Sequence, residues 1–119
     1  MRVYKDLLIA LTALIAAPGA SAAGQTVGPF ALSELKVDGG HVGLILNASF
    51  VDNQCGLGTA SHVMLLASDP GFVQLYAATL TALNAGKQVK FWVDGCSSAT
   101  ENYWGMRWPL VKSVSVVAQ

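Results

Sequence analysis

The chain has 119 residues, 53% hydrophobic and 12% charged, with seven Lys plus Arg against seven Asp plus Glu and a formal net charge of zero. That length accommodates one domain. The balanced charge excludes a protein built to hold nucleic acid, because phosphate binding needs a clear excess of Lys and Arg.

Residues 1–23 read as a secretory signal peptide. Arg2 and Lys5 form a positive start, Leu7 to Ala17 is an apolar run, and Pro18-Gly19 breaks its helix. Ala20-Ser21-Ala22 and Ser21-Ala22-Ala23 are equally good cleavage registers. The apolar run is much shorter than the ~20 residues of a membrane span. After cleavage, residues 24–119 form a single domain with no membrane attachment. It carries Lys36, Lys87, Lys90, Arg107 and Lys112 against Glu34, Asp38, Asp52, Asp69, Asp94 and Glu101, a net charge of −1.

Gly24 to Pro29 reads as a flexible lead-in. Leu32 to Val37 and Val42 to Ala48 read as a hairpin around Asp38-Gly39-Gly40, a turn signal. Ser49 to Thr59 is a polar loop. Asn47-Ala48-Ser49 matches the N-glycosylation sequon, a pattern without meaning in a bacterial source. Ala60 to Ala67 is a third strand, apolar enough to be buried on both faces. Ser68 or Asp69 then caps a helix, with Pro70 in its first turn. Phe72, Val73, Tyr76, Leu80 and Leu83 make its apolar stripe, and Gly86 ends it in a left-handed residue. Lys87 to Asp94 returns to period two, with Val89, Phe91 and Val93 on one face and Lys90, Trp92 and Asp94 on the other. Gly95 to Pro109 is a long loop, and Leu110 to Val117 is the last strand.

Cys55 and Cys96 are the only cysteines. In an oxidising compartment an even count predicts a disulfide. Closing a loop of about 40 residues contributes roughly 4 kcal/mol in the chain-entropy model. A zinc site would need more ligands than His41 and His62 add at this spacing. A nucleophilic cysteine would need a positioned His.

The order β-β-β-α-β-β predicts a mostly β domain with one helix. Five strands with the helix between the third and fourth match an OB-fold, a partly open Greek-key barrel. An open α+β sheet with the helix on one face is the alternative. In the OB topology the loops holding Cys55 and Cys96 lie at the same end, so the disulfide and the barrel agree.

The segment Tyr76 to Cys96, YAATLTALNAGKQVKFWVDGC, followed by a loop and a strand like VKSVSVV, resembles a group of small secreted bacterial proteins. It is also similar to B subunits of AB5-type toxins of the subtilase-cytotoxin and pertussis-like kind. The resemblance covers roughly the second half of the mature chain. It implies OB-fold subunits that assemble as pentameric rings and bind cell-surface sugars. No sugar-contacting residue of those toxins is carried over, and a shared fold does not transfer a function.

The loop Gly95 to Pro109 holds the most suggestive chemistry. Tyr103, Trp104 and Trp108 are interleaved with Glu101, Asn102 and Arg107. Aromatic faces stack on sugar rings, while Asn, Glu and Arg bond their hydroxyls. Three readings stand side by side: a ligand site on an OB loop, a loop folded back as core, and a subunit interface. Trp92 alternates away from the barrel and is read as packed rather than functional. Asn53 and Gln54 are solvated turn residues or a polar site beside Cys55. His41 is read as exposed, His62 as a sheet residue, and Asp94 as the start of an Asp-Gly turn or a general base with no evident partner. Phosphate-loop, nucleophile-elbow and paired-carboxylate motifs are absent from the sequence. Nothing calls for a metal or a cofactor.

These features predict a secreted or periplasmic binding module without enzymatic activity. Its partner would be a glycan or a surface protein, and it would act as a homo-oligomer, a pentamer by resemblance. The alternative is a structural or inhibitory protein that binds one protein partner and no sugar.

Overall fold

The computed structural model describes residues 23–118. The segment read as a signal peptide lies outside them except for Ala23. The described chain is mostly β with one helix. Its strands are β1 (Gln25–Phe30), β2 (Leu32–Asp38), β3 (His41–Val51), β4 (Thr59–Leu65), β5 (Gln88–Cys96) and β6 (Pro109–Val117). Helix α1 spans Phe72–Ala85 between β4 and β5.

The strands form one mixed sheet in the order β1-β5-β6-β4-β3-β2. Neighbours are antiparallel except β4 and β6, which run parallel at Met64 and Leu110. The expected five-stranded barrel is therefore corrected to six strands in an open ladder. The reason lies in the stretch read as a flexible lead-in. Val27 and Phe30 bury their side chains in the core, and β1 pairs with β5 from Gln25 opposite Val93 to Phe30 opposite Val89. Gly28, at φ 113, takes a backbone geometry that favours glycine and sits where the β1–β5 register shifts. Glycine and proline hide this strand from a propensity reading.

Ala31 is the only residue between β1 and β2, yet these strands form the two opposite edges of the sheet. The sheet must therefore curl until its edges meet at this residue. Asn47 of β3 holds the corner twice. Its backbone N–H donates to the Ala31 carbonyl at 3.0 Å, and its Oδ1 accepts from the Ala31 N–H at 3.1 Å. Further along, Gln25 Nε2 donates to the Val51 carbonyl at 2.9 Å, and Asn53 Nδ2 donates to the Ala23 carbonyl at 3.3 Å. Three side-chain amides thus bridge the seam between residues 23–31 and the far half of β3 with the loop after it. The sequon asparagine is a structural clamp.

Inside the curl, Val42, Leu44 and Leu46 of β3 meet Val63 and Leu65 of β4 and Val89, Phe91 and Val93 of β5. Helix α1 packs against β6, β5 and β4. Its buried line runs through Phe72, Leu75, Tyr76, Thr79 and Ala82. Val73, placed in the stripe by sequence, is 70% exposed. The buried Thr79 hydroxyl donates to the carbonyls of Tyr76 and Leu75. The helix starts later than its cap signals suggest. Gly71 is its N-cap, and Asp69 instead accepts from the Gly71 N–H at 2.9 Å and from Lys112 Nζ at 3.2 Å. Gly86 ends the helix at φ 66, as expected.

Cys55 and Cys96 form the expected disulfide, with Cα atoms 5.6 Å apart. It ties the loop after β3 to the end of β5. Among the described residues no helix is long and apolar enough to cross a membrane.

Replacing Asn47 with Ala removes the side-chain acceptor at the corner. The site is exposed, so the expected loss is about 0.5–1.5 kcal/mol. Urea unfolding measures it as a lower midpoint with unchanged slope.

Candidate functional site

The loop between β5 and β6 folds back against the outer face of the sheet. Cys96 pairs with Pro109 at its neck, and the Ser97 N–H donates to the Trp108 carbonyl at 2.9 Å. The buried Ser97 hydroxyl accepts from the Trp108 N–H at 3.0 Å and donates to Asn102 Oδ1. Glu101 closes a capping box on Ser98, accepting from its N–H and its hydroxyl, each at 3.0 Å. The Ser98 N–H is the main cause holding the Glu101 carboxyl below its ordinary 4.5, against burial, with help from the Ser98 hydroxyl and His41. Two of the polar residues expected to meet a ligand are therefore engaged within the loop.

Trp108 is fully buried and forms a second, outer cluster with Met64 and Leu110. Ile45, Leu66, Tyr103 and Met106 pack around it. The Trp108 indole N–H donates to the Tyr103 carbonyl at 3.0 Å. The core reading thus holds for Trp108 and, in part, for Tyr103. Arg107 reaches sideways, with Nη1 donating to the Cys55 carbonyl at 3.0 Å.

Trp104 differs. Its backbone is left-handed, at φ 57 and ψ 27, and its indole remains 41% exposed. For a bulky residue this conformation costs on the order of 1–3 kcal/mol. The indole meets Trp108 edge-on at a centroid distance of 5.2 Å and Tyr103 at 5.7 Å. Lys36 of β2 places its Nζ 5.4 Å from the indole centroid while pairing with Glu34 at 2.9 Å.

The supports for these rings come from β3 and β4. On Gly43, a Cβ would stand 2.9 Å from Trp108 Cη2 and 3.0 Å from Trp104 Cζ3. A glycine inside an apolar strand was the sequence signal for this close approach. His62 stacks edge-on against Trp108 at 4.8 Å, and its Nε2 donates to the Arg107 carbonyl at 2.6 Å. His41 is half-buried, where sequence placed it in solvent. Its ring lies 5.6 Å from Tyr103, and its Nδ1 accepts from the Ala67 N–H at 2.8 Å. Both histidines thus support the loop.

Trp92, on β5, projects from the outer face as expected and is 40% exposed. Its partners across the sheet are Thr26 and Ser113. Gln54 is anchored, donating to Asp94 Oδ1 at 3.0 Å and accepting from the Gly95 N–H at 2.7 Å. In the same loop the Asp52 carboxylate accepts from the N–H groups of Leu57, Cys55 and Gln54 at 2.9–3.2 Å. Partial burial raises the Asp52 pKa, but these three amides and the Arg107 charge together lower it further, to below the ordinary 3.8.

Among the described residues no group of three or more His, Cys, Asp or Glu converges as a metal site, and no concave pocket opens beside the loop. The exposed surface is a shallow rim of Trp104, Tyr103 and Lys36. No protein-family model matches the chain, and no curated protein matches it in sequence.

Two outcomes are expected. A carboxyl with a lowered folded pKa stabilises fully above its unfolded value, and this contribution is lost as pH falls through the folded one. Asp52→Asn should therefore destabilise by about 1–2 kcal/mol at pH 7. The gap to the parent protein should close below about pH 4, as read by thermal unfolding across pH. Gly43→Ala should displace Trp104, since the buried Trp108 cannot yield. It should cost about 1–3 kcal/mol and alter the near-UV circular dichroism of the indoles.

Proposed function

We propose that the chain is an exported, non-enzymatic binding module that presents Trp104 to a glycan on a cell surface. The supporting observation is the strained Trp104 backbone. A left-handed tryptophan is retained although glycine would fit there freely, and its ring stays half in solvent. A rigid indole beside Lys36 and Glu34 offers a stacking face with hydrogen-bonding groups at its edge. Export is supported by the apolar N-terminal segment and by the disulfide.

The strand order supports an OB-type arrangement in this reading. If β1 and β2 are taken as one strand broken at Ala31, five strands remain. The first then pairs with both the second and the fourth, and the third lies parallel to the fifth. A ring-shaped homo-oligomer, pentameric by resemblance, belongs to the same proposal. The second reading, a module that binds one protein partner, is favoured by the flatness of the rim.

Trp104→Gly separates function from folding. Glycine relieves the left-handed strain but loses the ring contacts with Trp108 and Tyr103, so the two effects oppose and the unfolding midpoint should change little. Binding on a glycan array should fall at least about tenfold, the loss of roughly 1.4 kcal/mol of stacking. Array hits indifferent to this substitution would refute Trp104 as the sugar contact. Light scattering after gel filtration tests the ring, which a strict monomer excludes.

A further inference from the structure

Ala23 and Gly24 precede the first strand, yet the fold holds both. The Ala23 carbonyl accepts from Asn53 Nδ2 at 3.3 Å, in the loop that the disulfide pins. Gly24 passes so close to β5 that a Cβ there would stand 2.7 Å from Trp92 Cζ2 and 2.7 Å from the Val93 carbonyl oxygen. Gln25 then enters the ladder opposite Val93. The outward indole of Trp92 is thus partly covered by the chain's own residue 24.

The sequence offers two bonds for removal of the leader, Ala22–Ala23 and Ala23–Gly24, and the fold does not treat them alike. Hydrolysis of the first by water leaves a carboxylate on Ala22 and an ammonium on Ala23. Ala23 is exposed, so the new charge keeps its water, and the carbonyl bound by Asn53 is retained. Hydrolysis of the second discards that carbonyl. It also creates the ammonium on Gly24, which is half-buried beside Trp92 and reached by less water than the exposed Ala23.

We infer that a signal peptidase cleaves the Ala22–Ala23 bond, so that the mature chain begins at Ala23, one residue before the 24–119 boundary read from sequence, with Ala23 held by Asn53 and Gly24 against Trp92. The inference rests on the export reading above.

The test is to produce the full chain in a bacterial host and to determine its N-terminus in the periplasmic fraction by intact mass and terminal-peptide sequencing. A predominant species spanning residues 23–119 is expected. A predominant periplasmic species beginning at Gly24, or at any residue after Met1 other than Ala23, overturns the inference and leaves export standing. A chain confined to the cytoplasm with Met1 intact overturns both. Thermal unfolding tests the seat itself. Asn53→Ala should lower the midpoint of the exported protein by about 2–4 °C, and an unchanged midpoint removes the physical basis of the assignment.

Discussion

The architecture depends on a corner one residue long. Ala31 joins β1 to β2, and these strands lie at opposite edges of the sheet. A flat sheet cannot satisfy that connection, so the ladder has to curl and enclose its apolar face. Asn47 makes the corner specific by meeting both backbone groups of Ala31. The disulfide acts at a different place, fastening the loop after β3 to the end of β5. Corner and cross-link together explain how a small domain keeps an open, curved sheet wrapped around a modest core.

The same curl places chemistry on the outside. Strand β3 uses alternate residues for two purposes. Val42, Leu44 and Leu46 point into the core, while Gly43 and Ile45 underlie the aromatic loop. Trp108 is spent on fixing that loop, and Glu101, Asn102 and Ser97 on shaping its neck. Trp104 is left as the strained, exposed member. The hydrogen bonds around it are short-range and largely satisfied, so the loop behaves as a stiff mount.

Much of this was legible in the amino-acid pattern. Period two marked β2, β5 and β6, apolar runs marked β3 and β4, the three- and four-residue spacing marked α1, and the cysteine pair marked its own bond. Strand β1 was hidden because Gly24, Gly28 and Pro29 carry turn chemistry, although Val27 and Phe30 bury themselves three residues apart across a register shift. The count of five strands followed from missing that strand. At the candidate site, the composition of the loop was readable, but the division of labour within it was not. Whether a tryptophan is buried or presented depends on what lies beneath it. Here that was Gly43 and two histidines from strands far away in sequence.

The carboxamide seam has a consequence for where such a molecule can work. Gln25, Asn47 and Asn53 carry no titrating group, so the contacts that bring the sheet edges together are indifferent to acidity and little affected by ionic strength. The Asp52 loop, which carries Asn53, softens in strong acid, whereas the Gln25 and Asn47 contacts contain nothing that titrates. Edges joined by neutral groups hold their contacts over a wider range of acidity than ion pairs would.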